Sequence, residues 1–214
     1  MPSWRTHRII GDIVCGFSDS KIDELIDIKY GHDSSRYDPA VLNQIANEVY
    51  SKHGEKGICY LVLHHFLDRF NDIITSELAK AHTLYESRKI NINEAYGLIK
   101  RKLIETMLTD KSNLLSAFSH DFKTAFEASI YFHLRKRGRG IRITDLLELG
   151  KRPPIGYDTV KMLIRATVKV VDNIKNNLDR ILLLLLTDKI NENTADYKIR
   201  KFMQQLIAHI TNHT

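Results

Sequence analysis

From Trp4 to Gly16, the apolar residues Ile9, Ile10, Ile13 and Val14 fall at the spacing of one helical face, with Thr6 as a candidate N-cap. Ser18-Asp19-Ser20 then caps a second helix, in which Ile22, Leu25, Ile26 and Ile28 recur before Tyr30-Gly31 ends it. Asp38-Pro39, an acidic cap with proline in the first turn, starts a third helix running to about Tyr50. The next, from about Gly54 to Ala79, is apolar nearly all round, with Ile58, Tyr60, Leu61, Val62, Leu63, Phe66, Leu67 and Phe70. Such a helix belongs at the centre of a fold.

Further amphipathic stretches predict helices over 91–108 and 111–134. Residues 135–155, with glycines and Pro153-Pro154, read as an irregular connection. A long helix from about Tyr157 to Leu186 and a last one from Ala195 to His209 complete the pattern. The expectation is an all-α, single-domain multi-helix bundle: a helical core over 1–134, a basic connecting segment over 135–156, and C-terminal helices over 157–214 packed on the core. The leucine run of RILLLLLTDKI needs covering by other helices or by a second subunit, which makes a homodimer through these helices an expectation too.

Ten glycines and four prolines in 214 residues support the helical reading against a sandwich or barrel. Cys15 and Cys59 stand in apolar surroundings, IVCGF and GICYLV, and read as buried reduced thiols, with a single disulfide as the alternative. Two cysteines exclude a disulfide scaffold and a zinc site of the C-x₂-C kind. The opening MPSWRTHRIIGD lacks the apolar core of a signal peptide, and no run approaches the ~20 residues that span a bilayer. A cytoplasmic protein without a membrane partner is the expectation. The net charge of +6 favours anionic partners, and Arg135, Lys136, Arg137, Arg139 and Arg142 concentrate it in one segment.

Five of the ten histidines, His7, His32, His53, His64 and His65, fall in the first third, with Asp33, Asp68 and Asp72 among them. Imidazole with carboxylate suits a divalent Mn, Fe, Zn or Ni ion. His53 and His64 are eleven residues apart, about three helical turns, and Asp68 and Asp72 continue that stripe in steps of four. His65 is rotated by roughly 100° from His64 and should face elsewhere, or stand behind a ligand. Buried carboxylates need partners, and a metal, Arg69, Arg88 or a hydrogen-bond network would each serve.

The N-terminal third resembles the HD-domain phosphohydrolases, all-helical proteins that hold one or two metal ions. By that resemblance His7 has the place of the first ligand, and His32-Asp33 that of the paired ligands. Arg36 stands where the family commonly has a lysine, and HGEKG makes His53 the third candidate. His64 or His65 would be the fourth, with Asp68, Asp72, Asp110 and Asp121 all open as the closing carboxylate. THRIIGD with YLVLHHFLD is also similar to helical zinc phospholipase C-like proteins. Either resemblance implies metal-assisted hydrolysis of a phosphoester, and the basic segment makes nucleotide or nucleic acid the expected substrate. Arg36 would then hold a substrate phosphate, while His65 or Asp68 serves as general base or supports a ligand.

HLRKRGRGIR, from His133 to Arg142, could follow a phosphate backbone, with Tyr131 and Phe132 placed to stack on bases. His120-Asp121 is a second His-Asp pair in a Ser- and Phe-rich stretch. The competing reading is a non-catalytic helical module that binds nucleic acid or a partner protein through the basic segment, its histidines being structural.

Overall fold

The computed structural model describes residues 2–31, 39–108, 157–191 and 196–213, which form seven helices and no strand. They are α1 (Trp4–Cys15), α2 (Ser20–Glu24), α3 (Pro39–Glu86), α4 (Ile92–Leu108), α5 (Tyr157–Asn176), α6 (Leu178–Asn191) and α7 (Tyr197–Thr211). The all-α reading is correct. The proposed helix over 111–134, the pairs His32-Asp33 and His120-Asp121, Arg36, Asp110 and the whole basic segment lie outside the described residues.

The start of α1 differs from the expectation. Ser3 is the N-cap, its Oγ accepting from the Thr6 backbone N–H. The reason lies far along the chain: Asp188 of α6 accepts from the Ser3 backbone N–H and from its hydroxyl, both at 2.7 Å. Asp19 caps α2 as its type suggests, accepting from the Lys21 backbone N–H at 2.9 Å. Instead of continuing as an α-helix, α2 widens into one π turn, Leu25–Lys29. Ile22 and Ile26 are buried, together with Asp23, while Ile28 is 68% exposed and leaves the apolar set.

The two central helices read from the pattern are limbs of one element, α3, bent at Gly54. There φ is 61° and ψ −148°, a conformation that only glycine adopts without strain. Beyond the bend Ile58 to Leu63 are all buried, as an all-round apolar helix requires. Packing against α1, α2, α4, α5 and α7, α3 forms the axis of the fold. The long C-terminal helix is in fact two, α5 and α6, broken at Asn177. Leu182, Leu185 and Leu186 of the leucine run are covered within the chain, where α6 packs on α1 and α7. Asp179 of α6 accepts from the Tyr96 hydroxyl and pairs with Lys100 Nζ at 2.6 Å, tying α6 to α4.

The cysteines are not free thiols: Cys15 at the end of α1 and Cys59 on α3 form a disulfide. Their Cα atoms are 5.7 Å apart, within the span of such a bridge. Each sits in an apolar stretch because the two helices cross there, a contact that neither local sequence reveals. No described helix is long and apolar enough to cross a membrane.

Candidate metal centre

α1 lies across the second limb of α3, and that crossing brings His7 onto His64 with ring centroids 4.2 Å apart and planes 19° from parallel. Asp68, one turn beyond His64 on α3, completes a group whose ligand-type atoms all lie within 4.8 Å of one another. All three are buried, His7 at 1%, His64 at 0% and Asp68 at 3% exposure.

The orientation of the rings is fixed from behind. His7 Nδ1 is 3.2 Å from the Ser3 carbonyl oxygen, which can only accept, so Nδ1 carries the proton. His64 Nδ1 is 3.0 Å from Asp23 Oδ1, and Asp23, wholly buried, also accepts from the Tyr60 hydroxyl at 2.8 Å. Both Nε2 atoms therefore turn toward Asp68. His7 Nε2 is 3.6 Å from Asp68 Oδ1, and His64 Nε2 is 3.8 Å from Oδ2 and 3.4 Å from Asp27 Oδ1.

His7 Nε2 has no hydrogen-bond partner among the described residues, and His64 Nε2 has Asp27 Oδ1 at 3.4 Å. Two ligands each about 2.1 Å from one tetrahedral ion stand roughly 3.4 Å apart. The contacts around His64 and His7 thus have the spacing of groups that share a cation. An Nδ1 locked by a carboxylate or carbonyl, with Nε2 left to the ion, is the usual support for a metal-bound histidine.

Charge points the same way. Asp23, Asp27 and Asp68 surround one imidazole at 3.0, 3.4 and 3.8 Å. Carboxylates so placed favour a positive charge between them, whether on the imidazole or on a cation. Burial works against a charge on His64, but hydrogen bonds to Asp23 and Asp27 and the field of Asp68 outweigh it and push its pKa up to about 9. With Nδ1 on Asp23, the proton so favoured is the one on Nε2, which faces Asp27 and Asp68.

The remaining residues named from the sequence are distributed more widely. His65 is fully buried and meets the His64 ring edge-on at 5.9 Å, so it stands behind the site without joining the group. His53 lies before the bend at Gly54, half-buried, with Nε2 3.6 Å from Asp19 Oδ2 and its ring against Phe17. The bend breaks the helical phase on which the shared stripe depended. Asp72 is exposed. Asp23 and Asp27 were not among the sequence candidates, although their i,i+4 spacing beside the apolar Ile22 and Ile26 is the same signal that picked out His64 and Asp68.

The helices approach closely enough here that Gly11 admits no side chain. A Cβ on Gly11 would lie 2.5 Å from Tyr60 Cε2 and 3.0 Å from the Phe17 carbonyl oxygen. Gly11→Ala should destabilise the fold by about 1–3 kcal/mol, as overpacking does. Because it displaces the ring whose hydroxyl holds Asp23, it should also weaken metal uptake. Urea unfolding and metal titration of the same variant check both effects.

No family model, curated protein or solved structure matches this chain.

Proposed function

We propose that this chain is a divalent-metal-dependent phosphohydrolase whose ion is held by His7, His64 and Asp68. The observation that supports it most is the convergence of two buried Nε2 atoms, locked from behind, on one carboxylate at ligand-to-ligand spacing. When bound, a divalent ion supplies Lewis acidity toward a phosphoryl oxygen and a nucleophile at neutral pH. The chain's own groups do the rest. Asp23 and the Ser3 carbonyl keep both imidazoles in one tautomer and one orientation. Arg36, three residues after the His32-Asp33 pair, is the residue we assign to the substrate phosphate, and the arginines from Arg135 to Arg142 to a longer anionic substrate such as nucleic acid.

One observation favours a second reading. Full burial and the raised pKa of His64 also suit a structural ion cluster, a protonated imidazole among carboxylates with no metal at all. Elemental analysis separates the two, using untagged protein dialysed against Mn²⁺, Fe²⁺, Zn²⁺ or Ni²⁺ and the His64→Ala variant. Phosphoesterase assays on nucleotide and single-stranded nucleic acid should accompany it. We expect one ion per chain and metal-stimulated hydrolysis in the parent, both lost in the variant. No stoichiometric metal in any preparation would leave the structural cluster as the answer.

A further inference from the structure

We propose that the cleft between α3 and α5 is a binding site for a small aromatic monocarboxylate, independent of the candidate metal centre. The cleft arises where α3 bends. Tyr50 lies before Gly54, while Glu55, Ile58 and Cys59 follow it, and α5, an unbroken helix, cannot follow both limbs. Its walls are tied at each end. Before it the Thr159 hydroxyl meets Asn47 Oδ1 at 3.4 Å, and beyond it Asn173 Nδ2 donates to the Val14 carbonyl at 2.6 Å. Cys59, which lines the cleft, is bonded to Cys15. The space between the helices is therefore formed in advance, as ligand sites usually are.

The cavity measures about 170 Å³. An apolar cavity of ~150 Å³ takes up benzene, so this one admits a single ring. Ile58, Met162 and Ala166 supply apolar lining, and Tyr50, 44% exposed, offers a ring to pack against. The charged lining is just as specific. Arg165 and Lys169, one turn apart on α5, face Glu55 of α3 across the cleft. All three are exposed, and none is engaged in an ion pair or side-chain hydrogen bond with another described residue.

Charge then selects among anions. Two cations against one carboxylate leave a net charge of +1 around the opening, which suits a monoanion. A phosphate monoester, with close to two negative charges, would meet Glu55 unfavourably. The guanidinium fork of Arg165 matches a carboxylate, and Glu55 can only accept, so it calls for a hydroxyl or amine elsewhere on the ligand. A hydroxy- or amino-substituted benzoate combines these features.

Equilibrium dialysis of untagged, chelator-stripped protein against para-hydroxybenzoate tests the assignment. With metal removed, the candidate metal centre has no ion to take the carboxylate. We expect one site per chain with a Kd of about 1 mM or tighter, as befits a ligand of this size. Arg165→Gln and Lys169→Gln, both exposed positions whose folding circular dichroism checks, should each raise Kd about tenfold. Benzyl alcohol, which lacks the charge, should bind at least tenfold more weakly than the acid. Phenyl phosphate should also bind more weakly than para-hydroxybenzoate, and Glu55→Gln should narrow that gap. Absence of saturable binding, or a Kd left within about twofold by both cation substitutions, would overturn the site. Benzyl alcohol bound as tightly as the acid would overturn recognition of an anion. Phenyl phosphate bound more tightly by the parent would overturn the choice of a carboxylate. None of these results bears on the reading of His7, His64 and Asp68, which elemental analysis decides separately.

Discussion

His64→Leu, measured in chelator so that no metal intervenes, should lose about 3–5 kcal/mol of unfolding free energy, the cost of removing one partner from a buried charged group. The leucine fits the volume, but it leaves Asp23 with only Tyr60 in view and removes the charge that faces Asp27 and Asp68. A pH series identifies the cause. Because the folded pKa of His64 is raised from 6.5 to about 9, the stability it contributes is fully present below pH 6.5 and is lost as pH rises through 9. The metal-free parent should therefore weaken by roughly 3 kcal/mol across that window, at about 1.4 kcal/mol per pKa unit. His64→Leu should show no such slope. Denaturant unfolding at pH 6 and pH 9.5 gives both numbers, and a parent with flat stability over that range would mean that the carboxylates do not hold a proton on His64.

The second large effect concerns the bridge between Cys15 and Cys59, 44 residues apart in sequence. Closing a loop of that length restricts the unfolded chain by about 4 kcal/mol in the chain-entropy treatment, with 2–4 kcal/mol typical of measured bridges. Reduction, or Cys15→Ser with Cys59→Ser, should lower stability by that amount and Tm by roughly 10 °C. The same bridge pins α1, which carries His7, to the limb of α3 that carries His64 and Asp68, so metal affinity should fall alongside. Parallel urea curves for oxidised and reduced protein decide it, and a difference below about 1 kcal/mol would count against the bridge as a main fastening.

What the sequence shows and what it hides follow one physical line. Periodicity is a local property, so the helical class was legible, as was the face shared by His64 and Asp68, only one turn apart. The larger interval from His53 to His64 failed as a guide because Gly54 bends the chain between them, and a glycine alone does not announce a positive φ. Asp23 and Asp27 were hidden by being charged residues on a short helix, where solvent exposure is the ordinary expectation. The disulfide and the Ser3 cap depend on helix crossings and on partners 44 and 185 residues away, which no window along the chain contains. His7 was singled out by family resemblance and not by its surroundings, since its partners come from α3 and from the cap before it.

The clasp between Ser3 and Asp188 has a consequence for the order of events during synthesis. His64, Asp68, Asp23 and Asp27 all lie within the first third of the chain and can meet as soon as α2 and α3 leave the ribosome. His7 depends for its tautomer on the Ser3 carbonyl, and Ser3 is held by a residue made 185 positions later. At typical elongation rates of about 5–20 residues per second, roughly ten seconds or more separate the two. The nascent chain thus presents one imidazole among several carboxylates for most of its synthesis. The second imidazole is locked in place only when α6 docks, so on the metal reading proposed above selective uptake would wait for that docking.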